Sequence, residues 1–319
     1  MLYCARVFAL LAGVSVSLWA VSVQAVTVVA SIPPLAMLSQ SLLQGTNGVT
    51  LVLVDGKQSP HGMSLLPSQR ASLEKADLVL WVGEDFESWL VKPLAQLKRG
   101  QLAMRDTSGI QLLPATAVQQ AKMRQKVEHS VSHDHHHHGA WDMHLWLDPT
   151  IVLAYIGHVR DELIIRDASN AERYRQNASQ LIQDIQQADN QAKRLLQPMQ
   201  GEPLLVMHDA WRYLFRHYGL TQGAMVQKTP EQSIGAASVA QLEQRLRSGE
   251  LSCLLREPQM EPKAMDWLKA LAPSLNEAMT DPLGSPNYSG GYAGWLRSEV
   301  RRVGEECRYG LWRLVLNRG

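Results

Sequence analysis

The chain has 319 residues and a formal net charge of +1, with 45% apolar and 19% charged residues. That length accommodates two domains with separate cores, and the balance is that of a globular protein rather than a disordered one. A charge so close to neutral excludes a field strong enough to recruit nucleic acid or anionic lipid.

The first 25 residues have the pattern of a secretory signal. Arg6 supplies a positive start, residues 7–20 are almost wholly apolar, and Val23, Gln24 and Ala25 place small residues at a cleavage position. The apolar run is shorter than the ~20 residues that a membrane span requires. The expectation is an exported chain cleaved after Ala25, with Cys4 too early to be a lipid-modified cysteine.

Residues 26–32 form a β-branched run stopped by Pro33 and Pro34 and read as a buried strand. Helical spacing follows over 35–43, then a strand over 49–54, a helix over 67–75, a strand over 78–82 and a helix over 89–97. This alternation predicts an α/β lobe with a mainly parallel sheet, extending to residue 148. Within it, residues 117–141 lose all hydrophobic periodicity and carry His129, His133, His135, His136, His137 and His138, which predicts a mobile loop. Asp148 can cap a helix with Pro149 at its first position, and helical spacing runs from there to about 197, with Asp167 to Ser169 as the place for any break. A helix of that kind, some 40 Å long at ~1.5 Å per residue, suits a rigid backbone between two lobes. The second lobe, 198–319, repeats the alternation: strands at 203–207, 251–255 and 278–280, and helices at 210–217, 239–248 and 265–272.

Four residues, His61, His144, His208 and Asp281, each sit at or just beyond the end of an apolar run, beside a turn residue. Open α/β sheets bind ligands beyond their strand ends. Two facing lobes would bring His61 and His144 from the first and His208 and Asp281 from the second into one cleft. Three imidazoles and a carboxylate suit tetrahedral Zn²⁺. They suit Mg²⁺ and Ca²⁺ poorly, and they favour zinc over Mn²⁺. Asp142 and Asp209 are candidates to orient the rings. Taken singly, each position also has an ordinary structural reading: a hydrogen-bonded histidine at a strand end, a helix cap at His208-Asp209, a turn at Asp281-Pro282.

These residues fall in segments that resemble the zinc-specific, ZnuA-like substrate-binding proteins of ABC importers, in a cluster that also includes manganese binders. The segments are Ser59-Pro60-His61, Lys75 to Gly83, Met143 to Pro149, Met207-His208-Asp209-Ala210, Glu257-Pro258-Gln259 and Asp281 to Gly284, in family order between about 26 and 295. The resemblance implies two α/β lobes with mainly parallel sheets, joined by a single long helix, with the metal between them. It assigns His61, His144 and His208 as ligands and Asp281 to a fourth position that ligates, acts through water or stands aside. Manganese members carry a carboxylate where His208 stands. Glu257 becomes a weaker candidate for the cleft wall. The histidine-rich loop falls where zinc members carry theirs and implies a second, weaker metal site.

The implied function is periplasmic capture of Zn²⁺ as a transported ligand, without catalysis, by a monomer. The implied partners are an ABC permease in the inner membrane and periplasmic zinc chaperones. Cys253 and Cys307 are an even pair in an exported chain, at about the family's spacing, which suggests a disulfide. From about Arg297 the resemblance stops: 298–308 is charged and poorly periodic, and the apolar-basic ending to 319 resembles translated adapter sequence. A zinc hydrolase would use the same imidazoles with an open coordination position and a general base. The chain has no His-Glu-x-x-His helix and no Gly-x-Ser-x-Gly elbow, and Glu257 is its one weak candidate base. A manganese-binding member of the same family, and an adhesin or metal store, are the other readings left open by the residues.

Overall fold

Short runs of β-branched and leucine residues build two four-stranded sheets of the same design. The computed structural model describes residues 25–57, 59–97, 99–116, 141–229, 232–259, 262–284 and 288–308. Residues 1–24 of the expected signal segment 1–25, the histidines at 129, 133 and 135–138, and the ending 309–319 lie outside the described residues. The first sheet is formed by β1 (Thr27–Ala30), β2 (Val49–Val52), β3 (Leu78–Trp81) and β4 (Gly100–Ala103) in the order β2-β1-β3-β4, with every pair parallel. Helices α1 (Pro33–Leu43), α2 (Pro67–Lys75) and α3 (Ser88–Ala95) make the crossovers. Pro33 sits in the first turn of α1, where its missing N–H costs nothing. Strand periodicity sorts the side chains: Val28 and Ala30 enter the central core, and Val29 enters a cluster on the other face.

After a two-stranded ribbon of β5 (Leu113–Pro114) and β6 (Trp141–Asp142) and the helices described below, the second sheet repeats this plan. Its strands are β7 (Pro203–Val206), β8 (Thr221–Met225), β11 (Cys253–Arg256) and β12 (Asn276–Met279), in the order β12-β11-β7-β8 and again parallel throughout. Taken from the opposite edge, the order is second, first, third, fourth strand, as in the first lobe. The hairpin strands β9 (Gln227–Thr229) and β10 (Gln232–Ser233) are an insertion between β8 and the third strand. The sequence predicted neither β4 nor β8. Both lie at sheet edges, where a strand pairs on one side only and Gly100 or Gly223 can interrupt the apolar pattern.

The single linking helix expected over 149–197 is two helices, α4 (Pro149–Arg166) and α5 (Ala171–Leu196). Asp148 caps α4 by accepting from Thr150 N at 2.9 Å. The break lies at Asp167, whose carboxylate accepts from Ser169 Oγ, Asn170 Nδ2 and Tyr174 Oη and so closes a tight turn. α4 folds back along α5 and belongs physically with the first lobe: Tyr155 Oη donates to Leu102 O at 3.0 Å, and Arg166 Nε to Asp77 O at 2.8 Å. Only the 26 residues of α5, about 39 Å at ~1.5 Å per residue, run between the lobes.

The charged stretch read as poorly periodic is helical over its described part. α6 (Arg212–Tyr218), α7 (Ala236–Arg247) and α8 (Pro262–Leu271) precede α9 (Gly291–Arg302), which continues as a wider turn over Val303–Cys307. Tyr292, Trp295, Leu296, Glu299, Val300, Val303 and Cys307 are buried, the i, i+3, i+4, i+7 spacing of one helix face. Glu299 occupies a buried position on that face, which hides the pattern in the sequence. α9 packs on both α5 and α1, so the last helix lies across the two lobes. Among the described residues no helix is long and apolar enough to cross a membrane.

Cys253 and Cys307 form a disulfide, with Cα atoms 5.4 Å apart and a separation of 54 residues. It ties β11 to the end of the helical run from α9. Closing a loop of that size stabilises by about 2–4 kcal/mol. Reduction without other change is expected to lower the melting temperature by roughly 5–10 °C in calorimetry. An unchanged transition would show that the final helix is held by packing alone.

Candidate metal centre

The predicted histidines converge. Single nitrogen atoms of His61, His144 and His208 all lie within 4.8 Å of one another. The ring centroids are 5.6 Å apart for His61–His144, 6.2 Å for His61–His208 and 5.6 Å for His144–His208. Tetrahedral zinc at ~2.0–2.1 Å from each nitrogen needs them about 3.3 Å apart, so a small inward rotation of the rings is enough.

Each ring is positioned differently. His208 follows β7 directly, at the carboxyl end of a central strand, the place where open parallel sheets hold ligands. Its Nδ1 lies 2.6 Å from Glu257 Oε2, and Glu257 stands at the end of the neighbouring β11. The other oxygen of Glu257 accepts from Trp211 Nε1 at 3.1 Å, which fixes the carboxylate. His144 follows β6, and its backbone N–H (3.0 Å) and Nδ1 (2.8 Å) both meet Asp142 Oδ1. In both rings Nδ1 is committed to a carboxylate, so Nε2 is the nitrogen left for a metal. His61 lies in the loop between β2 and α2. There its backbone N–H donates to Ser59 Oγ at 3.2 Å, and Trp89 Nε1 holds Pro60 O at 3.0 Å. Burial in the cleft, then the neighbouring His144 and His208, hold the His61 imidazole well below its usual pKa. A neutral ring is the form that ligates metal.

The cleft around these rings has a volume of about 290 Å³, including its open mouth. Phe86 meets His61 edge-on at 4.9 Å and Trp146 lies 5.3 Å from His144, giving an apolar wall. Trp146 is fixed from the other lobe: its Nε1 donates to Pro282 O at 2.7 Å, and Tyr292 Oη donates to its carbonyl at 2.6 Å.

Asp281 does not join the three rings. Its Oδ1 accepts from Gln259 Nε2 at 2.8 Å and from Leu283 N at 3.1 Å, which closes the turn that follows β12. Burial raises its pKa, against these donors. Asp209, expected to orient a ring, instead accepts from Gln222 Nε2 at 2.8 Å. Asp142 has the orienting position expected of it, and Glu257 does more than line the wall. Phe86, Trp146 and Gln259 were not singled out from the sequence. Gln259 had a signal, since it shares the turn after β11 with Glu257.

Behind the site, Glu87 joins the ends of the two central strands of the first sheet. It accepts from Ser31 Oγ at 2.6 Å after β1 and from Val82 N (3.1 Å) and Gly83 N (2.9 Å) after β3. Burial nevertheless pushes its carboxyl up to about 7.

A family profile described as the periplasmic component A of a zinc-uptake complex matches residues 28–305. The high-affinity zinc uptake system protein ZnuA of Yersinia pestis is 30% identical to the chain over 269 residues, covering 81% of this chain and 83% of the relative. A crystal structure of ZnuA superposes with a TM-score of 0.73 at 22% identity, covering 89% of this chain and all of the other (100%). A ZnuA deletion mutant with zinc bound superposes with a TM-score of 0.72 at 22% identity, covering 89% of this chain and 98% of the other.

The Glu87 carboxyl titrates from an ordinary value of 4.5 in the unfolded chain to about 7 in the folded one. Between those values the folded state holds a proton that the unfolded state has released. Its contribution to stability therefore falls as pH rises, by up to about 1.4 kcal/mol per pH unit. Urea unfolding at about pH 5 and about pH 7 should show Glu87→Gln losing less stability across the interval than the unsubstituted protein. Equal losses would mean that another group carries the proton.

Proposed function

Because the chain belongs to the family of the periplasmic zinc-uptake component A, we propose that it captures Zn²⁺ in the cleft between its lobes and delivers it to an ABC importer. The convergence of His61, His144 and His208 from three distant segments carries this reading. Nitrogen donors alone favour zinc over Mn²⁺, which prefers oxygen. Asp142 and Glu257 orient two of the rings, and with Asp281 turned toward Gln259 the fourth position falls to water. The family is a transport component, so the open position serves exchange of the ion and not hydrolysis.

Delivery implies a permease in the inner membrane as the receiving partner, docked by the two lobes of a monomer, with periplasmic zinc chaperones as further partners. The pattern of residues 1–25 supports export and cleavage after Ala25. His129, His133, His135, His136, His137 and His138 form a secondary, weaker collector in this proposal, because ordering a polar loop around an ion costs conformational entropy.

Metal titration of protein lacking residues 129–138 isolates the cleft. One tight zinc site is expected, lost on His208→Ala. Glu257→Gln is expected to weaken it by about 10–100-fold, because it loosens the ring that Glu257 orients. Retention of tight binding by His208→Ala would place the site elsewhere. In a parallel measurement, zinc should raise the melting temperature more than the same concentration of Mn²⁺, since protection follows binding to the folded state. Equal or greater protection by Mn²⁺ would refute the choice of metal.

A further inference from the structure

His61 is the least buried member of the triad and the one whose ring has no carboxylate behind it among the described residues. It is carried by the loop after β2, and something must fix that loop against the second lobe. At Gly56 the two lobes meet at the level of the backbone. The residue has φ +84°, and a Cβ there would fall 2.3 Å from Gly284 O. Gln259 spans the same junction. Its Nε2 donates to Gly56 O of the first lobe and to Asp281 Oδ1 of the second, both at 2.8 Å. Both neighbours are acceptors, so the donor end of the amide must face them. Its Oε1 is buried without a hydrogen-bond partner among the described residues, so Nε2 alone sets the orientation of the amide. The Asp281 end is rigid: its backbone N–H donates to buried Glu299 Oε2 at 2.7 Å, and its carbonyl accepts from Trp295 Nε1 at 3.0 Å, which ties the turn to α9.

We propose that Gln259 is a positioning residue, a latch that joins the His61-bearing loop to the anchored Asp281 turn and sets how long Zn²⁺ stays in the cleft. Asp281 acts through it, as the fixed acceptor, and not as a metal ligand. Opening Gln259 frees the loop while His144 and His208 stay held by their own carboxylates. Release therefore begins at His61.

This inference rests on the zinc reading of the site, so its test has one arm with metal and one without. With metal, stopped-flow transfer of Zn²⁺ to a chromophoric chelator gives the release rate, and Co²⁺ absorption reports the ligand set. Gln259→Ala is expected to release zinc about tenfold faster, the equivalent of one charge-assisted hydrogen bond, with the Co²⁺ spectrum unchanged. Asp281→Ala should behave in the same way, and the double variant should be no faster than either single one, because both break one link. Gln259→Glu, nearly the same shape but without donors, should match Gln259→Ala. Without metal, amide exchange in residues 53–57 should rise in each variant while the core stays protected.

Wild-type release by Gln259→Ala, with loop exchange unchanged, would overturn the latch. So would an altered Co²⁺ spectrum in Asp281→Ala with effects that add to those of Gln259→Ala, since Asp281 would then be a ligand. Failure of the unsubstituted protein to hold zinc would remove the zinc reading. The metal-free exchange would still decide whether Gln259 pins the loop.

Discussion

One hydrophobic seam holds the lobes at a fixed separation, and the site depends on it. Residues of both sheets, of α1, α4, α5 and of α9 belong to a single continuous core. Two separate clusters of buried apolar residues lie one on the other face of each sheet. α9 supplies Tyr292, Trp295, Leu296 and Val300 to the seam, all buried, and lies across α5 and α1. A tight interior resists small displacements, because void and overlap are both costly. Hydrogen bonds that cross between the lobes add direction to this packing: Tyr292 to Trp146, Trp146 to Pro282, and Tyr213 Oη to Asp142 O at 2.8 Å. The last of these steadies the residue that orients His144.

Two of the three rings in the cleft are each backed by an anchored carboxylate. Asp142 and Glu257 are both buried, and each has a second partner: Arg212 lies 3.7 Å from Asp142, and Trp211 donates to Glu257. A buried carboxylate without such partners would be costly. Burial first, and then the neighbouring His144 and His208, hold the His61 imidazole well below its usual pKa.

The lobes repeat one strand order but present their imidazoles differently. The second lobe offers His208 from the end of a central strand, with its orienting carboxylate on the adjacent strand. The first lobe uses the corresponding strand ends for a structural brace, Ser31 and Glu87, and presents its imidazoles from segments outside the sheet. His61 and His144 are held by Ser59, Trp89 and Asp142 of their own lobe, and Gln259 reaches the His61 loop from the second.

Local pattern in the chain determined the alternation of strand and helix, the Asp148 cap, the turns that follow the apolar runs, and His61, His144, His208 and Asp281 as a candidate set. All of these depend on neighbours within a few residues, or on strand-end positions that a sheet exposes. The paired cysteines were legible as a pair, and only the fold brought their Cα atoms to 5.4 Å. Tertiary structure decided the rest. The break at Asp167 needed the fold-back of α4. The helical face of α9 was hidden by Glu299, whose burial has meaning only once Asp281 N is placed against it. Edge strands β4 and β8 carried too little apolar signal to be seen. Asp281 and Asp209 stand near the right turns in sequence, and only the fold decided which side chains they meet. Their nearest donors, Gln259 and Gln222, come from other segments, and a carboxylate takes the direction of the donors that space provides.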